Sequence, residues 1–165
     1  MFKNILLPTD GSTLSANAVE QGIALAKALN ARVVGLNIVP EFSTGYEYRE
    51  LALTTSSGYT TSGQAVAGLP PEPSSADEYR ERIGAIAERF LEPIRSGSEA
   101  AGVACKCLHR VSDDPAAAIV DAAGEQGCDV IVMGSHGRGG IKSLVLGSQT
   151  NKVLTHSKVP VLVYR

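Results

Sequence analysis

Asp129-Val130-Ile131-Val132-Met133 runs directly into Gly134-Ser135-His136-Gly137-Arg138-Gly139-Gly140, and Leu146-Gly147-Ser148-Gln149-Thr150 follows. The apolar side chains of the first segment come in succession instead of alternating, the pattern of a short strand covered on both faces. Such a strand belongs to a parallel sheet between two helical layers, so this stretch decides the fold class. The glycines after it let the backbone turn with φ > 0 and bring N–H groups close to a ligand. Gly147-Ser148 then opens a helix, whose first unpaired N–H groups and positive dipole end suit an anion. A glycine loop joining a buried strand to a helix is a phosphate cradle in outline.

Outward from this stretch, strand and helix patterns alternate to both chain ends, which predicts an α/β fold with helices on both faces of a parallel sheet. Lys3–Pro8 and Arg32–Val39 read as strands, the second stopped by Pro40. Between them Leu14, Ala18, Gly22, Leu25 and Leu29 recur at helical steps after a Ser12 cap, and the helix ends near Asn30. Tyr79, Ile83, Ile86 and Phe90 trace a second helix, expected to kink at Pro93 and to end near Gly102. Val103–Val111 alternates as a third strand, and Asp114-Pro115 caps and opens a helix through Ile119, Val120 and Ala123. A helix from about Ser148 to His156 and the apolar strand Val161-Leu162-Val163-Tyr164 complete the order.

Residues 41–76 break the alternation. Thr54–Gly63 is small and polar, and Leu69-Pro70-Pro71-Glu72-Pro73 excludes regular structure. So long an irregular segment reads either as a flap or as a lid or partner-binding element. Tyr46, Tyr48, Leu51 and Leu53 hint at a short helix inside it.

A chain of 165 residues suffices for one domain with a substantial core. Fifteen basic and seventeen acidic residues give a net charge of −2 without a basic block, which argues against a nucleic-acid surface. No apolar run approaches the ~20 residues that span a bilayer, and the N-terminus enters a strand without a signal-peptide layout; a cytoplasmic protein is expected. Cys105 and Cys107 share one face of their strand, and Cys128 precedes the apolar run. Three cysteines without zinc-ligand spacing read as small core thiols, with a redox or metal role as the alternative.

The glycine loop has a definite spacing, G-x2-G-x9-G-S, carried by Gly134, Gly137, Gly147 and Ser148. It lacks the Gly-Lys-Ser/Thr of a Walker loop and does not follow the G-x-G-x-x-G dinucleotide fingerprint. The pattern resembles the nucleotide-binding loop of the universal stress protein family, in its ATP-binding branch. Phe2–Ser12 is similar to the opening strand and loop of that family, and Ser157–Arg165 to its closing strand. The resemblance implies one Rossmann-like domain over residues 1–165, an open sheet of five mainly parallel strands, with 41–76 as an irregular insertion where family members often have a shorter connection.

It also implies ATP, with magnesium or manganese. Matched to the family, Pro8, Thr9 and Asp10 would lie near the ribose and phosphates, with Asp10 the ligand to a phosphate-bound metal; one carboxylate suffices for this. Ile38 would hold the adenine edge through its backbone. Met133 belongs to the same ATP-binding set, Gly134 would approach the ribose, and Gly137, Gly147, Ser148 and Gln149 would donate to phosphates. The alternative for Asp10 is a turn former or helix cap, and the Ser148 hydroxyl reads as a cap besides a phosphate contact. His136 and Arg138 read either as phosphate contacts or as ordinary loop residues. His156 reads as a cation at a helix C-terminus, and His109, Asp113 and Asp114 as structural.

The function implied by the resemblance is an ATP-binding regulatory protein of the stress response, whose nucleotide occupancy modulates assembly or the binding of a regulatory protein partner. The resemblance also implies a homodimer paired through the C-terminal strands, or a tetramer; Val161–Tyr164 as an exposed edge suits this. A second reading is a slow ATPase or an adenylating relative. The adenylating enzymes are expected to carry Ser-Gly-Gly-x-Asp-Ser after the first strand, where this chain has Pro8-Thr9-Asp10-Gly11-Ser12. No base, lysine clamp and substrate pocket are identifiable together, so no catalytic residue is assigned. A third reading, a nucleotide-independent interaction module, conflicts with the intact glycine spacing.

Overall fold

Nine elements follow one another in the computed structural model, which describes residues 1–41, 73–137 and 146–165. They are β1 (Asn4–Thr9), α1 (Thr13–Leu29), β2 (Arg32–Val39), α2 (Ala76–Ala101), β3 (Cys105–Val111), α3 (Pro115–Glu125), β4 (Val130–Gly134), α4 (Ser148–His156) and β5 (Val161–Tyr164). Most of the irregular segment lies outside the described residues, including the short helix expected around Tyr46, Tyr48, Leu51 and Leu53; so does Arg138.

Local chemistry sets the boundaries. The Ser12 hydroxyl accepts from the Ser15 N–H to start α1, and Asn30 ends it in the left-handed region at φ 52°. Ser75 caps α2 by accepting from the Glu78 N–H, and Gly102 closes it at φ 70°. The Val103 N–H is spent on the Ser98 carbonyl in that closure, so β3 starts at Cys105 and not at Val103. Asp114 accepts from the Ala117 N–H with Pro115 in the first turn of α3. Pro93 stays inside α2 on an exposed position, and the helix is one continuous element.

The five strands are all parallel, in the order β3-β2-β1-β4-β5. This is an α/β Rossmann-like sheet. Ile5, Leu7, Val33, Val130 and Val132 point to the face covered by α1 and α2, where Val19, Ile23, Leu91 and Ile94 meet them. Leu6, Val34, Leu36, Ile131 and Met133 point to the other face, under Ile119 and Ala122 of α3 and Val153 of α4. Successive side chains of a strand point to opposite faces, so an unbroken apolar run calls for helices on both sides. No helix among the described residues is long and apolar enough to cross a membrane.

The buried face of α1 differs from the expected stripe. Ser15, Ala18, Val19, Gly22, Ile23 and Ala26 are buried, whereas Leu14, Leu25 and Leu29 are only half-buried. Small residues face the sheet because α1 lies close on β1: a Cβ at Gly22 would meet Leu7 Cδ2 at 2.3 Å. The larger leucines flank the contact. Gly84 in α2 is the opposite case, since a Cβ there meets nothing within 4 Å. Gly84→Ala is expected to stabilise the fold by about 0.5–1 kcal/mol, chiefly by restricting the unfolded chain. A urea midpoint that stays level or falls would contradict this.

Candidate functional site

The strand order reverses between β1 and β4, where crossovers leave in opposite directions and a crevice opens beyond the carboxyl ends. Pairing of β1 with β2 continues to Thr9–Asn37, but pairing with β4 ends at Leu6–Ile131. Pro8, which has no N–H to offer, lies in the stretch that has parted from β4. The crevice is therefore walled by the turn after β1 and the glycine loop after β4.

The first wall is held by its own side chains. Asp10 Oδ1 accepts from the Ser12 N–H at 3.0 Å and from the Ser12 hydroxyl at 2.7 Å. The Gly11 N–H donates to Thr9 Oγ1 at 3.2 Å, and Thr9 Oγ1 lies 3.2 Å from Ser15 Oγ. Gly11 takes φ +78° under the Phe90 ring, a backbone state that only glycine adopts without strain. Behind this turn, buried Asn37 donates from Nδ2 to the Thr9 carbonyl at 2.8 Å, while its Oδ1 is buried without a partner. The turn-forming reading of Asp10 is thus present in the structure, and it leaves Oδ2 facing the second wall.

That second wall is tied down from below. The Ser135 N–H donates to the Tyr164 carbonyl of β5 and the Gly147 N–H to the Ser135 carbonyl, both at 2.8 Å. Thr150 Oγ1 donates to the Gly134 carbonyl at 3.0 Å. His136 Nδ1 lies 3.1 Å from Ser135 Oγ. The glycines serve here by size and not by a left-handed turn: Gly134, Gly137 and Gly147 are absent from the positive-φ residues, which among the described glycines are Gly11, Gly102 and Gly127. A Cβ at Gly137 would stand 2.5 Å from Asp10 Oδ2; one at Gly147 would stand 3.2 Å from the Ser135 carbonyl, and one at Gly134 3.3 Å from the Leu14 backbone. Residues from the two ends of the chain thus meet at the contact of Gly137 with Asp10.

The expectation that Ser148 caps α4 is corrected. Gly147 holds the cap position, Ser148 is the first helical residue, and among the described residues no side chain caps this end. The first N–H groups of a helix have no intrahelical partner, so an end of this kind suits a ligand or water. Gln149 stands beside them with a buried Oε1 that has no partner. Ser148 is exposed, Ile38 is half-buried one residue past the last β2 position paired with β1, and Met133 is core at 7% exposure. His156 lies in the last turn of α4, Asp113 accepts from the Glu41 N–H, and Asp114 is the α3 cap.

Uncapped helical N–H groups beside closely approaching glycines form a donor-rich cradle that fits a phosphate ester. Among the described residues no group of three or more His, Cys, Asp or Glu could hold a metal by itself. A cation here would need Asp10 together with phosphate oxygens and water. The motif spacing does not point to Asn37; the one signal for it is an amide inside the apolar run Arg32–Val39. Thr150, the anchor of the Gly134 carbonyl, carried no such signal.

The model of the universal stress protein family matches residues 1–165. The chain belongs to this family. Universal stress protein YxiE of Bacillus subtilis is 32% identical over 166 residues, covering 100% of both chains. Universal stress protein MJ0577 of Methanocaldococcus jannaschii is 30% identical, covering 100% of this chain and 96% of its own. The solved structure of MJ0577 superimposes with a TM-score of 0.72 at 28% identity, over 99% of this chain and 95% of that one. More distant universal stress protein structures share the fold at a TM-score of 0.61: one in complex with cAMP, at 22% identity over 99% and 97% of the chains, and one from Archaeoglobus fulgidus in complex with dAMP, at 16% over 100% and 98%.

Proposed function

We propose that this universal stress protein binds an adenine nucleotide, ATP with a divalent cation, in the crevice between β1 and β4, and that occupancy regulates its assembly or its grip on a protein partner. The observation that carries the proposal is the pairing of Gly137 with Asp10 beside the uncapped end of α4. The triphosphate lies along Gly137, Gly147, Ser148 and Gln149, with His136 and Arg138 as further phosphate contacts. Asp10 holds the cation, and Pro8, Thr9, Met133 and Gly134 bound the ribose. The Ile38 backbone, free of β1 at that point, takes the adenine edge. The cAMP and dAMP bound by relatives of the same fold share the adenine moiety, which supports an adenine nucleotide over another phosphate ester.

In this proposal β5 pairs with its copy in a cytoplasmic homodimer. It is an edge strand with Leu162 at 43% exposure, and an edge of that kind invites another strand. The test is to denature the purified protein, identify any released nucleotide by chromatography, and titrate the stripped protein with magnesium–ATP by calorimetry. Co-purified ATP or a micromolar Kd, about −8 kcal/mol, is expected. No nucleotide and no heat at several temperatures would refute the site. Light scattering on stripped and loaded samples reads assembly; one unchanged mass for both would refute control of assembly. Turnover above about one per minute, still far below ordinary enzymes, would favour the ATPase reading.

A further inference from the structure

We infer that Cys105 and Cys107 form a dithiol that closes reversibly to a disulfide, a thiol modification site at the amino end of β3 and away from the nucleotide crevice. Their side chains share one face of β3, and the two Sγ atoms lie 3.7 Å apart. Cys105 is exposed and Cys107 half-buried, its Sγ 3.9 Å from the Leu91 carbonyl. Gly35, the β2 partner of Cys107 in the ladder, makes room for the second thiol, since a Cβ there would stand 3.0 Å from its Sγ. β3 is the last strand of the sheet on that side, so closure disturbs only one ladder. The Cα atoms of residues two apart on an extended strand are about 6.6 Å apart, at the upper end of the range that a disulfide spans, and closure draws the two Cβ atoms together by bending the strand locally.

The surroundings separate the two thiols. The hydrogen bond from Cys107, with a smaller contribution from the Arg95 charge, lowers the Cys105 thiol to about 6. Cys107 is pushed well above the ordinary thiol range by the same contact and by burial. The charged groups facing the pair are Arg95 and Glu88 of α2, with Glu92 bound to Arg95. At neutral pH Cys105 is therefore the thiolate and Cys107 keeps its proton, an exposed nucleophile with its resolving partner in contact.

Hydrogen peroxide serves as the oxidant. The Cys105 thiolate attacks one peroxide oxygen; the S–O bond forms, the O–O bond breaks, and the departing hydroxide takes a proton from solvent to become water. The Cys107 sulfur then attacks Cys105 Sγ; the S–S bond forms, the S–O bond breaks, and the Cys107 proton leaves with the hydroxyl as a second water. The pair loses two electrons, and a dithiol reductant restores it by two exchange steps.

The experiment treats the full chain with peroxide, then denatures it, alkylates the remaining thiols and maps peptides by mass. Loss of two hydrogens from the Cys105–Cys107 peptide is expected, with Cys128 left to alkylate and full reversal by dithiothreitol. Cys107→Ser should instead trap a sulfenic acid at Cys105, and Cys105→Ser should show neither product. Alkylation of wild-type Cys105 should change less than about twofold from pH 7 to pH 9, where an ordinary thiol gains about 25-fold. A disulfide through Cys128 or between chains would overturn the inference, as would peroxide products that are the same in Cys107→Ser.

Discussion

Gly137→Val is expected to weaken magnesium–ATP binding at least ~100-fold, about 2.8 kcal/mol, with thermal stability nearly unchanged. The valine Cβ would stand 2.5 Å from Asp10 Oδ2, closer than real contacts allow. Asp10 is not free to retreat, because its other oxygen holds the Ser12 N–H and hydroxyl. Either the turn after β1 or the loop after β4 must give way, and both are walls of the proposed site. The two further methyl groups would also intrude on the path of the phosphates. The core is untouched, since Gly137 is exposed, so the denaturation midpoint serves as the control. Calorimetry on the stripped variant decides the matter; an affinity equal to wild type would remove this loop from the nucleotide site.

Gly22→Val should cost about 3 kcal/mol of folding stability, at the upper end for an overpacked core. The new Cβ would lie 2.3 Å from Leu7 Cδ2, and Leu7 is fully buried among Ile5, Val19, Ile23 and Leu91. Leucine can change rotamer on a surface, but here the neighbouring side chains occupy the alternatives. The β-branched side chain adds a smaller helix-propensity cost. Urea denaturation of Gly22→Val beside Gly84→Ala gives the sharpest comparison, since two helical glycines are expected to respond with opposite sign. A loss under about 1 kcal/mol at Gly22 would mean that α1 slides away from β1 at little cost. Because Ser12 caps α1 and is bound by Asp10, such a slide would also move the turn that carries Asp10.

Much of the architecture was legible because its signals are local. β2 was read at both boundaries, Arg32 and Val39, from an apolar run ended by Pro40, and α4 from Ser148 to His156. Caps at Ser12 and Asp114 were legible because a short polar side chain before a periodic segment meets orphaned N–H groups wherever the helix lies. The buried side of α1 was not, because hydrophobicity favours the leucines while close approach to β1 selects Gly22 and Ala18. Ser148 was misplaced as a cap by one residue; with glycine before it, either position satisfied the local pattern.

The sequence by itself determined the order of strands and helices, the fold class and the family, since periodicity, caps and the spacing of Gly134, Gly137, Gly147 and Ser148 are properties of short segments. Only the tertiary structure decided that Asp10 and Gly137 face each other across a parted β1 and β4. It alone showed that Asn37 supports the turn after β1 and that the Cys105 and Cys107 sulfurs touch at an exposed edge. The physical reason is that strand order and depth of burial follow from which faces pack together over the whole chain. No local pattern records that choice.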